Sequence, residues 1–285
     1  MAAGDGAPEP GSVALFGAPF DGTASYRGGA RLGPARIREA SYSLEEYSLR
    51  LDASLEDVRF VDVGDLDLPH GSAERALEDV ARTVVDLAHR GAVPLMLGGE
   101  HLLTLGAVRA LAEQHPDLAV IQFDAHADLR DAYQGERLSH ATVMRRVAEV
   151  VGSDRVFPLG IRSGSAGEVA WGRAHTRWPQ PRHDLPEQAH AAAAAAGRRP
   201  VYVTIDIDVL DPAEAPGTGT PEPGGVCFNR LLTALDALRG LRIVGCDLVE
   251  VAPSLDPSGR TEVAAAAVCR HLLIGWFGTG GGSRR

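Results

Sequence analysis

Cysteine is scarce in this chain of 285 residues. Cys227, Cys246 and Cys269 are odd in number and form no C-x-x-C pair. This excludes a disulfide framework and a zinc knuckle, and fits reduced thiols in the cytoplasm. Long apolar runs are also missing: no stretch of about 18 apolar residues occurs, so no membrane span is expected. Met1 to Gly11 is rich in Ala, Gly and Pro with acids and has no apolar core, so no signal peptide is expected. There is no phosphate loop ending in Gly-Lys-Ser/Thr and no Gly-x-Ser-x-Gly elbow, which argues against nucleotide and serine hydrolysis. Positive charge is in deficit, with 28 Lys and Arg against 38 Asp and Glu and a formal charge of −10. Such a surface disfavours nucleic acid and mildly favours a cationic small molecule.

What is present is ordinary soluble composition, 45% hydrophobic and 23% charged, in a strand–helix alternation. Ser12–Phe16, Val58–Val63, Val93–Leu97, Ala119–Phe123, Val156–Ile161, Val201–Ile205 and Arg242–Val249 read as strands. Between them, Pro34–Tyr47, Ser72–Arg90, Leu102–Gln114, His140–Val151 and Asn229–Leu238 read as helices, and Thr261–Trp276 closes the chain. Residues 171–190 look like an irregular surface excursion, and Ala191–Ala196 like helical filler. The alternation predicts an α/β fold: a mainly parallel sheet with helices on both faces. We expect one catalytic domain over residues 12–277 between flexible ends, 1–11 and 278–285.

In open parallel sheets ligands bind beyond the carboxyl ends of the strands. Three predicted exits carry metal-competent side chains. Phe123 leads into Asp124-Ala125-His126-Ala127-Asp128, where an extended backbone would aim alternate side chains to one side, about 6.6–6.8 Å apart. Gly98-Gly99-Glu100-His101 delivers a histidine through two glycines, expected to permit a tight turn. Ile205 leads into Asp206-Ile207-Asp208. A lone Asp at a strand end is ordinarily a cap or turn residue, and a lone His a hydrogen-bonded loop residue. Three such exits together call for another explanation. His101, Asp124, His126, Asp128, Asp206 and Asp208 carry too much negative charge for one cation but suit two divalent ions with bridging carboxylates. The oxygen-rich set favours manganese over zinc, with nickel or cobalt admissible. Glu250, in Val249-Glu250-Val251-Ala252-Pro253, is an acceptor-only carboxylate suited to a planar cation, though alone it would read as a cap or salt-bridge residue. His140 begins a helix a dozen residues past the metal run, a position that alone would suggest an ordinary first-turn histidine.

These motifs, with Gly28 to Arg38, Thr204 to Pro212 and Ser139-His140-Ala141, resemble the ureohydrolases, the family of arginases and agmatinases, in order and over almost the whole chain. Asp128-Leu129-Arg130-Asp131 and the segment Pro216 to Gly225 look most like bacterial agmatinases. The resemblance implies a three-layer α/β/α, arginase-like fold and two Mn(2+) ions per subunit. One ion would take His101, Asp124, Asp128 and Asp206; the other His126, Asp124, Asp206 and Asp208. It further implies a homotrimer or homohexamer and a cationic guanidino substrate, agmatine first, which would place the chain in polyamine biosynthesis. Asp128 would orient the attacking water, Glu250 hold the guanidinium, and His140 pass a proton. The loop Leu129 to Arg137 lacks the Asn and Ser that arginases offer an α-carboxylate. Asp131 or Glu136 could lie near the agmatine ammonium or equally be solvated surface charges, whereas Arg130 and Arg162 could serve the carboxylate of 4-guanidinobutanoate. Guanidinopropionate, a guanidino natural product and a metal-binding relative without turnover are the alternatives, the last disfavoured by the intact residue set.

Overall fold

The computed structural model describes residues 7–180 and 184–278. Of the two ends expected to be flexible, residues 1–6 and 279–285 lie outside the described residues. Within the first, the Gly11 N–H already donates to Gly91 O at 2.8 Å.

In chain order the elements are β1 (Val13–Ala18), α1 (Gly33–Ser41), a short hairpin of β2 (Tyr47–Ser48) and β3 (Ala53–Ser54), β4 (Phe60–Asp65), α2 (Ala73–His89), β5 (Val93–Gly98), α3 (Thr104–Gln114), β6 (Ala119–Phe123), α4 (Val143–Val151), β7 (Val156–Leu159), α5 (Ala166–His175), α6 (Leu185–Ala196), β8 (Pro200–Asp206), α7 (Phe228–Asp236), β9 (Arg242–Val249) and α8 (Arg260–Phe277). Seven strands form one sheet in the order β4-β1-β5-β9-β8-β6-β7, and every pairing in it is parallel.

Alternation along the strands builds a core on each face. Leu95, Ile121, Phe123, Val203 and Leu248 point to a layer shared with α1, α6, α7 and α8. Phe16, Met96, Val120 and Tyr202 point to a layer shared with α2, α3 and α4. The result is the expected three-layer α/β/α sandwich. Burying each such side chain contributes roughly 1.5–3 kcal/mol, which fixes the register because a slip of one residue would exchange the faces.

Three details depart from the sequence reading. The first helix ends at Ser41 rather than Tyr47, because the β2–β3 hairpin follows it. Much of residues 171–190 is helical: α5 and α6 begin with capping boxes, Ser165 with Glu168 and Asp184 with Glu187, and α6 has Pro186 in its first turn. The glycines at the β5 exit provide clearance rather than a left-handed turn. A Cβ on Gly99 would lie 1.9 Å from Phe20 O, and one on Gly98 would lie 2.5 Å from Val249 Cγ1.

Candidate metal centre

At the carboxyl ends of β5, β6 and β8 lies a cavity of about 330 Å³. His101, His126, Asp128, Asp206, His140 and Glu250 line it, while Asp124 and Asp208 sit buried just behind. All eight residues singled out from the sequence therefore meet in one place.

The backbone delivers them by a route the strand argument did not contain. β6 stops at Phe123, and Asp124 makes a side-chain turn, its Oδ1 accepting the His126 N–H at 2.6 Å. Asp206 does the same, its Oδ1 accepting the Asp208 N–H at 2.9 Å as the chain enters the 3₁₀ turn Ile207–Val209. Asp128 adopts a left-handed backbone, φ 52°, and Glu250 another, φ 64°. Each such conformation costs a non-glycine residue roughly 1–2 kcal/mol, and such conformations cluster where function over-determines the backbone. Convergence thus arises from turns, not from continued strand alternation.

His101 Nδ1 lies 3.1 Å from Asp124 Oδ2, 3.2 Å from Asp128 Oδ2 and 3.5 Å from Asp206 Oδ2. His126 Nδ1 lies 2.8 Å from Asp208 Oδ2 and 3.7 Å from Asp124 Oδ1. Yet His101 Nδ1 and Asp208 Oδ2 are buried without a hydrogen bond. Close approach without donor–acceptor alignment is the signature of lone pairs aimed at a shared point rather than at each other. Two donor groups result, His101 with Asp124 and Asp206, and Asp124 with His126 and Asp208, sharing Asp124. Within each, the donor atoms lie within 4.8 Å of one another.

The electrostatics agree. Burial, then the neighbouring Asp208 and Asp124, hold Asp206 well above the usual carboxylate range. Burial and Asp124 push Asp128 up to about 7, and the same two causes raise Asp208. Burial also opposes ionisation of Asp124, but the neighbouring His101 and His126 imidazoles outweigh it and keep it low. The imidazoles respond inversely. Burial opposes their charge, yet the carboxylates lift His126 to about 12 and His101 well above its ordinary value. Four carboxylates facing two imidazoles cannot all ionise without further positive charge, so the donor set fits cations. His101 Nε2 is 2.9 Å from Thr204 Oγ1, which leaves Nδ1 free to face the carboxylates.

At the cavity wall, Glu250 Oε1 accepts the His101 N–H at 2.7 Å. Burial, then the Glu100 carboxylate, push Glu250 up to about 8. His140 sits in the 3₁₀ turn His140–Thr142 capped by Ser139, and burial lowers its pKa below the ordinary 6.5. At the rim, Arg130 Nε lies 3.2 Å from Glu168 Oε2, with its guanidinium 5.0 Å from the centre of the Tyr133 ring. The other charges expected there are elsewhere. Asp131 pairs with Arg137 and Arg146, and Glu136 is exposed and pairs through its backbone with Tyr133. Neither lines the cavity. Arg162 spends its donors on the carbonyls of Asp208, Val209, Leu210 and Glu222.

Several contributors were not singled out from sequence. Gln122 Nε2 donates to Asp124 Oδ2 at 2.8 Å, and Thr204 supports His101. Both are polar residues two positions before a ligand candidate in an apolar strand, hence on its face, and that was a legible signal. Thr23 and Ser25 come from a loop and Glu168 from the first turn of α5, and only Glu168, three residues after Ser165, carried a pattern.

The arginase family model matches residues 11–275. The chain belongs to the arginase family. An agmatinase of Bacillus anthracis is 47% identical over 270 residues, covering 94% of this chain and 93% of that protein. The N(1)-aminopropylagmatine ureohydrolase of Thermococcus kodakarensis is 40% identical, covering 86% and 84%. The solved proclavaminate amidinohydrolase of Streptomyces clavuligerus superposes with a TM-score of 0.87 at 35% identity, covering 95% of this chain and 93% of its own. This arginase-family chain is an amidinohydrolase. Among its described residues no helix is long and apolar enough to cross a membrane.

Proposed function

We propose that the protein hydrolyses agmatine to putrescine and urea at a binuclear manganese centre. The observation that carries the reading is the pair of donor groups sharing Asp124, with lone pairs left unpartnered beneath a cavity walled by Glu250. His101, Asp124, Asp128 and Asp206 would hold one Mn(2+), and His126, Asp124, Asp206 and Asp208 the other. When bound, such ions lower the pKa of water and make it nucleophilic near neutral pH.

The chain's own residues supply the rest. Glu250 is a half-buried carboxylate at the cavity wall whose pKa is raised by burial and Glu100, so a cation would suit it, and a guanidinium presents two N–H groups to it. Asp128 accepts a hydrogen bond from the attacking water and turns its lone pair to the guanidino carbon. Attack makes that carbon tetrahedral, and the bond to the alkyl-bearing nitrogen must break. An amine leaves only if protonated, and His140, largely neutral near pH 7, passes it a proton from the attacking water. Water and guanidinium thus become urea and an alkylammonium ion.

Arg130 at the rim supports a second reading, in which the guanidino substrate bears a distal carboxylate. The loss of Asp131 and Glu136 as ammonium partners favours the same alternative. The names of the relatives favour agmatine. Urea release from agmatine, arginine, 4-guanidinobutanoate and guanidinopropionate, alongside metal analysis, decides between them. Agmatine turning over fastest with two Mn(2+) per subunit is the expected result, and metal binding without urea release from any of the four would overturn the proposal. The scarce, unpaired cysteines favour a cytoplasmic setting and the family resemblance a homotrimer or homohexamer, which fractionation and sedimentation test.

A further inference from the structure

We propose that Thr23 and Glu100 are positioning residues that brace His140 and fix its tautomer, an inference that rests on His140 being the proton-transfer group. Glu100 is 1% exposed and lies in the β5 exit. Both its carboxylate oxygens are occupied by one residue: Thr23 N donates to Oε2 at 2.8 Å, and Thr23 Oγ1 donates to Oε1 at 2.7 Å. The loop before Thr23 is stitched to the same exit by Gly99 N to Ala18 O and Glu100 N to Phe20 O. Thr23 is therefore as fixed as the strand end itself.

A hydroxyl has one hydrogen and two acceptor lone pairs. With its hydrogen given to Glu100, Thr23 Oγ1 can only accept. It accepts the His140 N–H at 3.1 Å, and its remaining lone pair faces His140 Nδ1 at 3.4 Å. Ser139 Oγ, also 3.4 Å from Nδ1, accepts the Ala141 N–H and can turn either a lone pair or its hydrogen to the ring, so the choice rests with Thr23. The neutral imidazole is thus held with hydrogen on Nδ1. Nε2 keeps the lone pair, 3.2 Å from the hydroxyl of Ser25, a residue that lines the cavity. A proton-passing ring needs a basic nitrogen on the substrate side, and the Glu100–Thr23 pair selects it.

The test is a double-mutant cycle on the metal-loaded enzyme, with metal content and circular dichroism recorded for every variant. Thr23→Val removes the hydroxyl at nearly constant shape and should lower kcat at least about tenfold with KM changed less than about threefold. Thr23→Ser should restore turnover. In a His140→Asn background, Thr23→Val should cost nothing further. An equal loss in both backgrounds, or no loss in either, overturns the brace. Parent-like turnover by His140→Asn instead sinks the proton-transfer reading itself. Should Thr23→Val fail to fold, Glu100→Gln, which can accept only one of the two Thr23 donors, takes its place in the cycle. Ring-nitrogen NMR of the metal-free protein, with His140→Asn assigning the signal, reads the tautomer without turnover: hydrogen on Nδ1 is expected, and hydrogen on Nε2 refutes the proposal.

Discussion

Asp124 and Asp131 stand on one loop, and the contrast between them separates the floor of the cavity from its rim. Asp124 is fully buried, accepts from Gln122 and the His126 backbone, and faces two imidazoles. The Asp131 side chain is 62% exposed and is paired with Arg137 and Arg146. On the floor, carboxylates outnumber their positive partners and are held by turns and left-handed backbone. At the rim, each charge has a local counter-charge: Asp131 with two arginines, and Glu168 with Arg130. The floor stores unmet demand for cations, and the rim has almost none. In the proposed reading, chemistry belongs to the floor and choice of substrate to the rim.

The contrast breaks most easily at the floor. Asp124→Asn or Asp206→Asn should abolish metal binding and lower urea release by on the order of a thousandfold or more. Retained metal with retained turnover would erase the distinction drawn above. Stripping the metal from the parent protein should lower its melting temperature by about 5 °C or more near neutral pH, an effect that grows with pH. The folded-state pKa values of His101 and His126 are raised above 6.5, so the stability from their protons is complete below about that pH and is lost as pH rises through the folded values. Asp128, raised from 3.8 to about 7, loses stability as pH climbs between those values. Metal-free protein should therefore melt at progressively lower temperature from about pH 4 upward. A flat profile in calorimetry would contradict the electrostatics of the floor.

Smaller effects sharpen the boundary. His140→Asn should keep its metal and lose about a hundredfold in kcat. Glu250→Gln should keep its metal too, but raise KM about tenfold or more through loss of a charge-assisted contact. An unaltered KM would remove Glu250 from its assigned role. Asp131→Asn should change turnover by less than about twofold, because its ion pairs are solvated. A large loss there would move the rim into the chemistry.

The floor was legible because parallel strands must end in ligands or turns. Asp124 and Asp206 follow apolar runs directly and His101 follows one through Gly98-Gly99-Glu100, and their chemistry survives whichever turn delivers them. The delivery itself was less visible. Nothing in Asp128 or Glu250 announces a positive φ, which tertiary packing imposes. At the rim, the structure decides for the surface-charge alternative at Asp131 and Glu136; the sequence left this open because one partner of Asp131, Arg146, lies on α4, and only the folded chain brings it back. Arg162 looked like a rim charge and is instead an internal tie among carbonyls. Thr23 was invisible for the same reason, lying 77 residues from Glu100 and 117 from His140.

The strand order has a consequence for the order of synthesis. β9 is the last strand made, yet it lies between β5 and β8 at the middle of the sheet. Until it emerges, the nascent chain can hold only β4-β1-β5 on one side and β8-β6-β7 on the other, joined by no backbone pairing. His101 belongs to the first half and the five other metal-ligand candidates to the second. A ribosome adding about 5–20 residues per second must finish past Val249 before the two halves can close. The full set of proposed metal ligands therefore shares one sheet only once β9 has joined it.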